Sequence, residues 1–223
     1  MKIAGFFNIK PGVTALIGGG GKTTLMETLS DELSEIGTVI ITTSTRILIP
    51  RHIPVLTDGS VDHITTALQK DRVIYVGTIA ENGKLSAPVI SFEKLKLLAD
   101  YVIVEADGAH GLPIKAHADY EPVIPECTDK TILVIGADCF NQPIDIICHR
   151  PERFAEIAGV DIHTPVTPEI IHRAITAEGF GDILYINKVE DQEAATAARS
   201  LAKLMKMPVL AGSLQREEMV CLR

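Results

Sequence analysis

The sequence predicts an α/β fold in which a mostly parallel central sheet lies between layers of helices. Three short runs of aliphatic and β-branched residues have the continuous pattern of strands buried on both faces: Thr38–Thr43, Tyr101–Ala106 and Thr131–Gly136. These runs alternate with segments of helical periodicity, as a parallel sheet requires. Hydrophobic residues make up 46% of the chain but aromatic residues only 4%, so the predicted core is aliphatic.

Length and charge narrow the class of protein. The 223 residues suit a single α/β domain, predicted over 1–223. The net charge of −8 and the absence of a basic run argue against general nucleic-acid binding. We find no transmembrane window and no signal-peptide pattern, which favours a cytoplasmic protein that does not bind membranes. The four cysteines form no C-x-x-C pair and are expected to be reduced and mostly small core residues.

The glycine-rich stretch after Val13–Ile17 is the strongest functional signal. Four glycines are followed by a lysine, two threonines and a helix predicted from Lys22 to Ile36. Glycines allow close approach to an anion, and the amides at a helix N-terminus face phosphate groups. This pattern is typical of a P-loop NTPase, with Leu16 where the first glycine of the usual motif would stand. The alternative is a turn without a ligand. The candidate nucleotide-binding residues here are Gly18, Gly19, Gly20, Gly21, Lys22, Thr23 and Thr24.

The strand Tyr101–Ala106 ends in Glu105-Ala106-Asp107-Gly108, which has the arrangement of a Walker B motif. A carboxylate at this place holds Mg²⁺ or orients a nucleophile. The metal ligands predicted are therefore Thr23, Asp107 and Glu105, and the two acids are also catalytic candidates with Lys22. A simple turn former is the alternative for these acids.

The region from about 45 to 89 is predicted to be an insertion or a variable edge. It is preceded by a polar strand end, Thr42 to Arg46, where Arg46 is a candidate for contacting a phosphate; an exposed turn is the alternative. A short helix is expected within Asp58–Lys70, a strand at Val73–Gly77 and a hairpin within Tyr75–Val89. A helix follows at Ser91–Asp100.

The stretch from Ala109 to Asp129 lacks periodicity and is expected to be an ordered loop over the active site. It contains Lys115, a candidate catalytic cation. It also contains His110 and His117, for which either metal binding or a surface role is open. Further on, His149 and Arg150 lie before a helix that begins near Pro151, where they are expected to reach a bound anion. Another helix is predicted to start at Thr167-Pro168.

The strand Asp182–Lys188 ends in Asn187-Lys188-Val189-Glu190, which is similar to the N-K-x-D motif that reads guanine in GTPases. The candidate base-binding residues are Asn187, Lys188 and Glu190, with Glu190 in place of aspartate; a turn without base contact is the alternative. The last predicted elements are a helix at Asp191–Lys206 and a strand at Pro208–Ala211. The segment Gly212–Arg223 is expected to cross the top of the sheet or to trail off.

Several of these stretches, taken in order, resemble the YqeC-type accessory proteins of selenium-dependent molybdenum hydroxylases: IGGGGKTT, ITTSTR, VEADGAHGLPIKAHADYEPVIP, CHRPERF and NKVE. The resemblance implies a P-loop NTPase-like three-layer sandwich and a role in selenium cofactor biosynthesis. It also implies partners: a molybdenum hydroxylase apoprotein or its cofactor.

The leading hypothesis is therefore an enzyme that binds ATP or GTP with Mg²⁺ and acts as an NTPase or a kinase-like phosphotransferase. Lys115, Arg46 or Arg150 would supply positive charge at the transferred phosphoryl group. One alternative is a nucleotide-switched chaperone without enzymatic activity. Another is a selenium or metal carrier that uses Cys148, His149 or Cys139.

Overall fold

The computed structural model describes residues 2–49, 53–81 and 83–223. The chain divides into two compact units, which are described separately here. Unit 1 comprises Met1–Leu16, Thr23–Gly108 and Pro122–Lys130, and unit 2 comprises Ile17–Lys22, Ala109–Glu121 and Thr131–Arg223.

The strands of unit 1 form a parallel sheet in the order β1-β8-β2-β5-β4. The strands β1, β2 and β8 are buried along their whole length, which explains their unbroken aliphatic sequences. The strand bounds are β1 (Gly12–Gly18, of which Gly12–Leu16 belong to unit 1), β2 (Val39–Thr43), β3 (Arg46–Ile47), β4 (Val55–Leu56), β5 (Val73–Val76), β6 (Thr78–Ile79), β7 (Leu85–Ser86) and β8 (Tyr101–Glu105).

The helices of unit 1 are α1 (Ile3–Phe7), α2 (Lys22–Ser34, from Thr23 onward in this unit), α3 (Val61–Lys70) and α4 (Phe92–Leu98). The predicted helices are confirmed with shorter ends. The side chains of Ser60 and Ser91 cap α3 and α4. The sequence analysis missed α1, because five residues are too few to show helical periodicity. Its first two amides donate to the carboxylate of Glu32 on α2.

A second, small sheet in unit 1 has the order β3-β7-β6 and is antiparallel. The pair β6–β7 confirms the hairpin expected within Tyr75–Val89. Ala80 accepts a hydrogen bond from Gly83, and the Ala80 amide donates to Lys84, which closes the turn. Asn82, in the sequence of the expected hairpin, lies outside the described residues.

The main strands of unit 2 run in the order β10-β12-β13-β14, and β14 is antiparallel to β13. The expectation that Gly212–Arg223 crosses the sheet or trails off was wrong, since β14 pairs with β13. Its side chains are mostly exposed, so no buried pattern marks it in the sequence. The strand bounds are β9 (Ile114–Lys115), β10 (Lys130–Gly136, from Thr131 in this unit), β11 (Cys148–His149), β12 (Ile183–Asn187), β13 (Val209–Ser213) and β14 (Glu218–Cys221).

The helices of unit 2 are α5 (Ile144–Ile147), α6 (Pro151–Ala158), α7 (Pro168–Glu178) and α8 (Gln192–Leu204). Thr167 and Asp191 cap α7 and α8 with their side chains, and Gly159 and Gly179 end α6 and α7 in the left-handed conformation. A feature absent from the sequence prediction is the short parallel pair of β9 and β11. It gives the loop after Ala109 a fixed attachment to the segment before α6.

The predicted fold class is confirmed: this is an α/β protein with a mostly parallel sheet flanked by helices, consistent with a P-loop-type sandwich. The single domain over 1–223 stays a prediction. Within the described ranges, no helix is both long enough and apolar enough to cross a membrane.

Candidate functional site

The glycine loop between β1 and α2 is held tightly by its own unit. Gly20 has a φ of +68°, and a Cβ atom on it would lie 2.1 Å from the backbone nitrogen of Gly136. A Cβ atom on Gly19 would lie 2.5 Å from the carbonyl oxygen of Leu112. These glycines are therefore needed for backbone packing, independently of any ligand.

Two of the loop amides are already used in this packing. The Gly19 amide donates to Val134 at 2.8 Å, and the Gly20 amide donates to Leu112 at 3.0 Å. The first amides of a helix have no partner within that helix, so the phosphate donors expected here are those at the start of α2. We therefore assign Gly19 and Gly20 to shaping the loop rather than to donating hydrogen bonds to phosphate.

Lys22 is the cation of this loop. It is buried, with 5% of its surface exposed, and its Nζ donates to the carbonyl oxygen of Gly18 at 2.5 Å. The side chain therefore folds back over the loop that precedes it, and its charge lies where the loop backbone turns. This is the position from which a P-loop lysine reaches phosphate oxygens.

Asn187, at the end of β12, braces the same loop. Its Nδ2 donates to the carbonyl oxygen of Gly20 at 2.8 Å. Its Oδ1 accepts from the Tyr185 hydroxyl at 3.0 Å and from the Leu214 amide at 3.3 Å. Asn187 is 5% exposed, and these bonds leave one amide hydrogen of its side chain for other use. Its first role is to fix the loop; base contact stays a prediction.

The other two residues of the N-K-x-D-like segment also bond within unit 2. Lys188 has a φ of +61°, and its Nζ lies 2.6 Å from Oδ2 of Asp138. Glu190 accepts from the Ser213 hydroxyl at 2.8 Å, and its backbone oxygen accepts from Arg216. The loop after β13 therefore closes over the segment from Asn187 to Glu190, an arrangement that a simple surface turn would not need.

Thr23 and Glu105 lie together in unit 1, as predicted for a metal site. The Thr23 hydroxyl is 3.4 Å from Oε2 of Glu105. Adjacent oxygen ligands of an octahedral Mg²⁺ with bonds of 2.0–2.1 Å lie about 2.9 Å apart. A small inward shift of the two oxygens would therefore match the spacing that Mg²⁺ requires. Glu105 is 7% exposed and Asp107 is fully buried, which favours Glu105 over Asp107 as the accessible ligand.

The polar end of β2 lies beside Glu105. The Thr43 hydroxyl donates to the backbone oxygen of Glu105 at 2.8 Å, and the Ser44 amide donates to the same oxygen at 3.2 Å. Thr45 contacts Thr43. Arg46 is exposed on β3, in unit 1, and its predicted contact with phosphate is untested.

Lys115 and Arg150, two of the predicted catalytic cations, meet on one carboxylate of unit 2. Both donate to Oε2 of Glu121, at 2.8 Å and 2.6 Å. Burial alone would raise the pKa of Glu121, but the hydrogen bonds from Arg150 and Lys115 outweigh it and lower that pKa. The pairing β9–β11 brings the two cations together, because Lys115 pairs with His149 and Arg150 follows directly.

His149 lies in the same cluster and stacks on His110, with ring centroids 4.5 Å apart. Burial lowers the pKa of His149, and the charges of Arg150 and Lys115 lower it further. Its Nδ1 is buried and makes no hydrogen bond with the described residues. Burial and the two neighbouring cations therefore both favour the neutral form of the His149 ring.

The structure gives little support to a metal or selenium carrier. No group of three or more His, Cys, Asp or Glu side chains within the described residues is arranged to hold a metal ion. Burial raises the pKa of the Cys148 thiol to about 12, and burial raises the pKa of Cys139 well above its usual value. Both thiols are therefore protonated, and the thiolate is the form that reacts or binds metal.

Three site features escaped the sequence analysis: Glu121 as the shared partner of two cations, the brace formed by Asn187, and the pairing of His117 with Glu178. The sequence does contain a signal for the pairing of His117 with Glu178. Glu178 ends α7, where a negative charge is unfavourable to the helix dipole and calls for a partner. The partners of Glu121 and Asn187 depend on strand pairing, which no local pattern shows.

Comparison with known proteins shows to which family the chain belongs. The family model described as YqeC protein matches residues 14–152. The chain is also similar to a curated protein of Escherichia coli (strain K12) described as uncharacterized protein YqeC, with 30% identity over 161 residues. That match covers 68% of this chain and 62% of the relative, so the chain spans less than two thirds of the relative's length.

Proposed function

Since this chain belongs to the YqeC family, we propose that it binds a nucleoside triphosphate with Mg²⁺ in support of the maturation of a selenium-dependent molybdenum hydroxylase. The observation that carries the proposal is Lys22, the first residue of α2, which is buried after the glycine loop and folded onto the Gly18 carbonyl. A buried lysine beside a helix N-terminus offers concentrated positive charge to a phosphate.

The metal part of the proposal rests on unit 1. Lys22 and Thr23 are consecutive in the chain, so the proposal assigns phosphate oxygens to the first and Mg²⁺ to the second. Glu105 supports this assignment, because its carboxylate oxygen already lies near the Thr23 hydroxyl. When bound, Mg²⁺ would neutralise phosphate charge; Thr23 and Glu105 would orient it.

The proposed chemistry is phosphoryl transfer, either to water or to a small acceptor. Lys115 and Arg150 support it as a pair of cations fixed on Glu121. A single-turnover experiment with nucleotide labelled at the γ-phosphate distinguishes the outcomes. Free phosphate alone indicates hydrolysis, and a labelled acceptor indicates transfer. Tight binding without turnover would instead indicate a nucleotide-switched chaperone.

The metal assignment is tested by titrating Mg²⁺ against the protein in the presence of ATP or GTP. We expect Thr23→Val and Glu105→Gln each to raise the Mg²⁺ concentration needed for half-maximal nucleotide binding, by about tenfold or more. Thr28→Val, at a half-buried position of α2, is the matched control and should behave as the wild type. Unchanged Mg²⁺ dependence in both site variants would refute the metal assignment.

A further inference from the structure

A cavity in unit 2 lies outside the glycine loop. Its volume is about 320 Å³, at the small end of the roughly 300–1,000 Å³ typical of ligand pockets. The loop that begins at His117 forms one side, and α6 and the end of α7 form the others. The walls used in the argument below are His117, Asp119, Glu121, Arg153, Glu178 and Phe180.

One wall is fixed before any ligand binds. The His117 amide donates to Oε1 of Glu178 at 2.7 Å, and its ring Nδ1 lies 2.8 Å from Oε2. The His117 ring also meets the Phe180 ring edge to face, with centroids 5.2 Å apart. Both side chains of this hydrogen-bonded pair are largely buried, at 2% and 13% exposure. An ionised carboxylate accepts about four hydrogen bonds, so Glu178 retains capacity for N–H donors of a ligand.

Another wall of the cavity contains Arg153, whose guanidinium group can exchange its present partner for a ligand. Arg153 donates from Nη2 to Asp119 at 2.7 Å, but the Asp119 side chain is 90% exposed. An ion pair with such an exposed partner contributes little to stability, because water competes for both charges. The Nε of Arg153 is buried and donates to no described residue. A ligand carboxylate could therefore bind this guanidinium through two parallel hydrogen bonds.

With His117 counted as neutral, the formal charges around the cavity balance. Three carboxylates line it, and three cations either line it or bond directly to those carboxylates. The carboxylates are Asp119, Glu121 and Glu178, and the cations are Lys115, Arg150 and Arg153. A ligand with a net charge would leave an uncompensated charge in a half-enclosed site, which is costly. The balance therefore favours a neutral ligand that carries both signs.

We propose that this cavity binds a small zwitterion of the amino-acid type, with its carboxylate on Arg153, its ammonium group on Glu178 and its side chain against Phe180. Ile157 and Ala177 extend the apolar wall. Glu121 does not need to move, because Lys115 and Arg150 already compensate its charge. The ligand contacts proposed here are made by Arg153, Glu178 and Phe180, none of which is assigned to the proposed nucleotide site.

The test uses the full chain without nucleotide and the twenty standard amino acids, each titrated at millimolar concentration while backbone NMR shifts of His117 and Phe180 are followed. We expect at least one amino acid to shift both resonances with saturation. The N-acetyl and the amide derivatives of that amino acid, each of which lacks one charge, should bind at least about tenfold more weakly.

Variants of Arg153 complete the test. Arg153→Gln should weaken binding at least about tenfold and Arg153→Lys less, because lysine keeps the charge but not the fork. Arg199→Gln, at an exposed position of α8, is the matched control and should bind as the wild type. Three results would each overturn the proposal: no amino acid saturates, the uncharged derivatives bind equally well, or binding survives Arg153→Gln unchanged.

Discussion

Asn187 forms hydrogen bonds through both ends of its side-chain amide, and its Nδ2 holds the glycine loop of unit 2. It connects Gly20 with Tyr185 and Leu214, and all of these contacts are shielded from water. A buried polar group that loses its partner costs more than the hydrogen bond contributed. At the scale of the residue, Asn187 is therefore a structural part of the phosphate loop, whatever base the protein prefers.

This role predicts the effect of Asn187→Ala. The substitution removes the hydrogen bond to the buried Gly20 carbonyl and the bond accepted from the Tyr185 hydroxyl, so we expect the free energy of unfolding to fall by about 1–3 kcal/mol. Urea denaturation measures it. Lys188→Ala is the control next in sequence; it removes only a partly exposed pair with Asp138, which contributes about 0–1 kcal/mol. Equal losses for the two variants would contradict the assigned brace.

At the scale of the element, the loop from β1 to α2 depends on its glycines for space as well as for conformation. Gly20 and Gly111 both have a positive φ, +68° and +78°. A Cβ atom on Gly20 would collide with the backbone at Gly136, whereas a Cβ atom on Gly111 would meet nothing within 4 Å. Comparing alanine substitutions at the two positions separates the free-energy cost of the left-handed conformation from the free-energy cost of the steric collision.

We therefore expect Gly111→Ala to lower the free energy of unfolding by about 1–2 kcal/mol, the usual cost of a left-handed residue. Gly20→Ala should lower it by more, because the backbone of β10 must also shift. Thermal and urea unfolding of both variants measure the difference. The packing role of the loop would be wrong if Gly20→Ala were no more destabilising than Gly111→Ala.

His149, the last residue of β11, should make the stability of the protein depend on pH. The pKa of His149 is lowered in the folded protein by burial and by Arg150, Lys115 and His110, while Glu121 raises it. The unfolded chain therefore binds a proton at a higher pH than the folded protein does. It follows that the free energy of unfolding falls as the pH drops through about 6.5 toward the lowered folded pKa.

Replacing the His149 imidazole tests whether this side chain lowers the free energy of unfolding as the pH drops. His149→Gln should reduce the loss of stability between about pH 7 and pH 5, as measured by urea denaturation at several pH values. His163→Gln, at an exposed position, is the control and should keep the loss. A steeper loss in His149→Gln would mean that the folded protein prefers the charged imidazole, contrary to the geometry described.

At the scale of the whole molecule, the sequence was informative wherever a local pattern sufficed. Long buried strands such as β8 and helices such as α7 carry their own periodicity, and Glu105 follows from its place at a strand end. The short elements α1, β9, β11 and β14 carry no such pattern. The convergence of Lys115 and Arg150 on Glu121 could not be predicted, because it depends on the pairing of β9 with β11.

The central claim is that the loop ending in Lys22 binds a nucleoside triphosphate. Isothermal titration of Mg²⁺–ATP and Mg²⁺–GTP into the wild type and Lys22→Ala tests it most directly, with Lys203→Ala on α8 as the control. We predict saturable binding of at least one nucleotide to the wild type and to the control, and affinity at least about tenfold weaker for Lys22→Ala. Failure of both nucleotides to bind the wild type, or equal binding by Lys22→Ala, would contradict the claim.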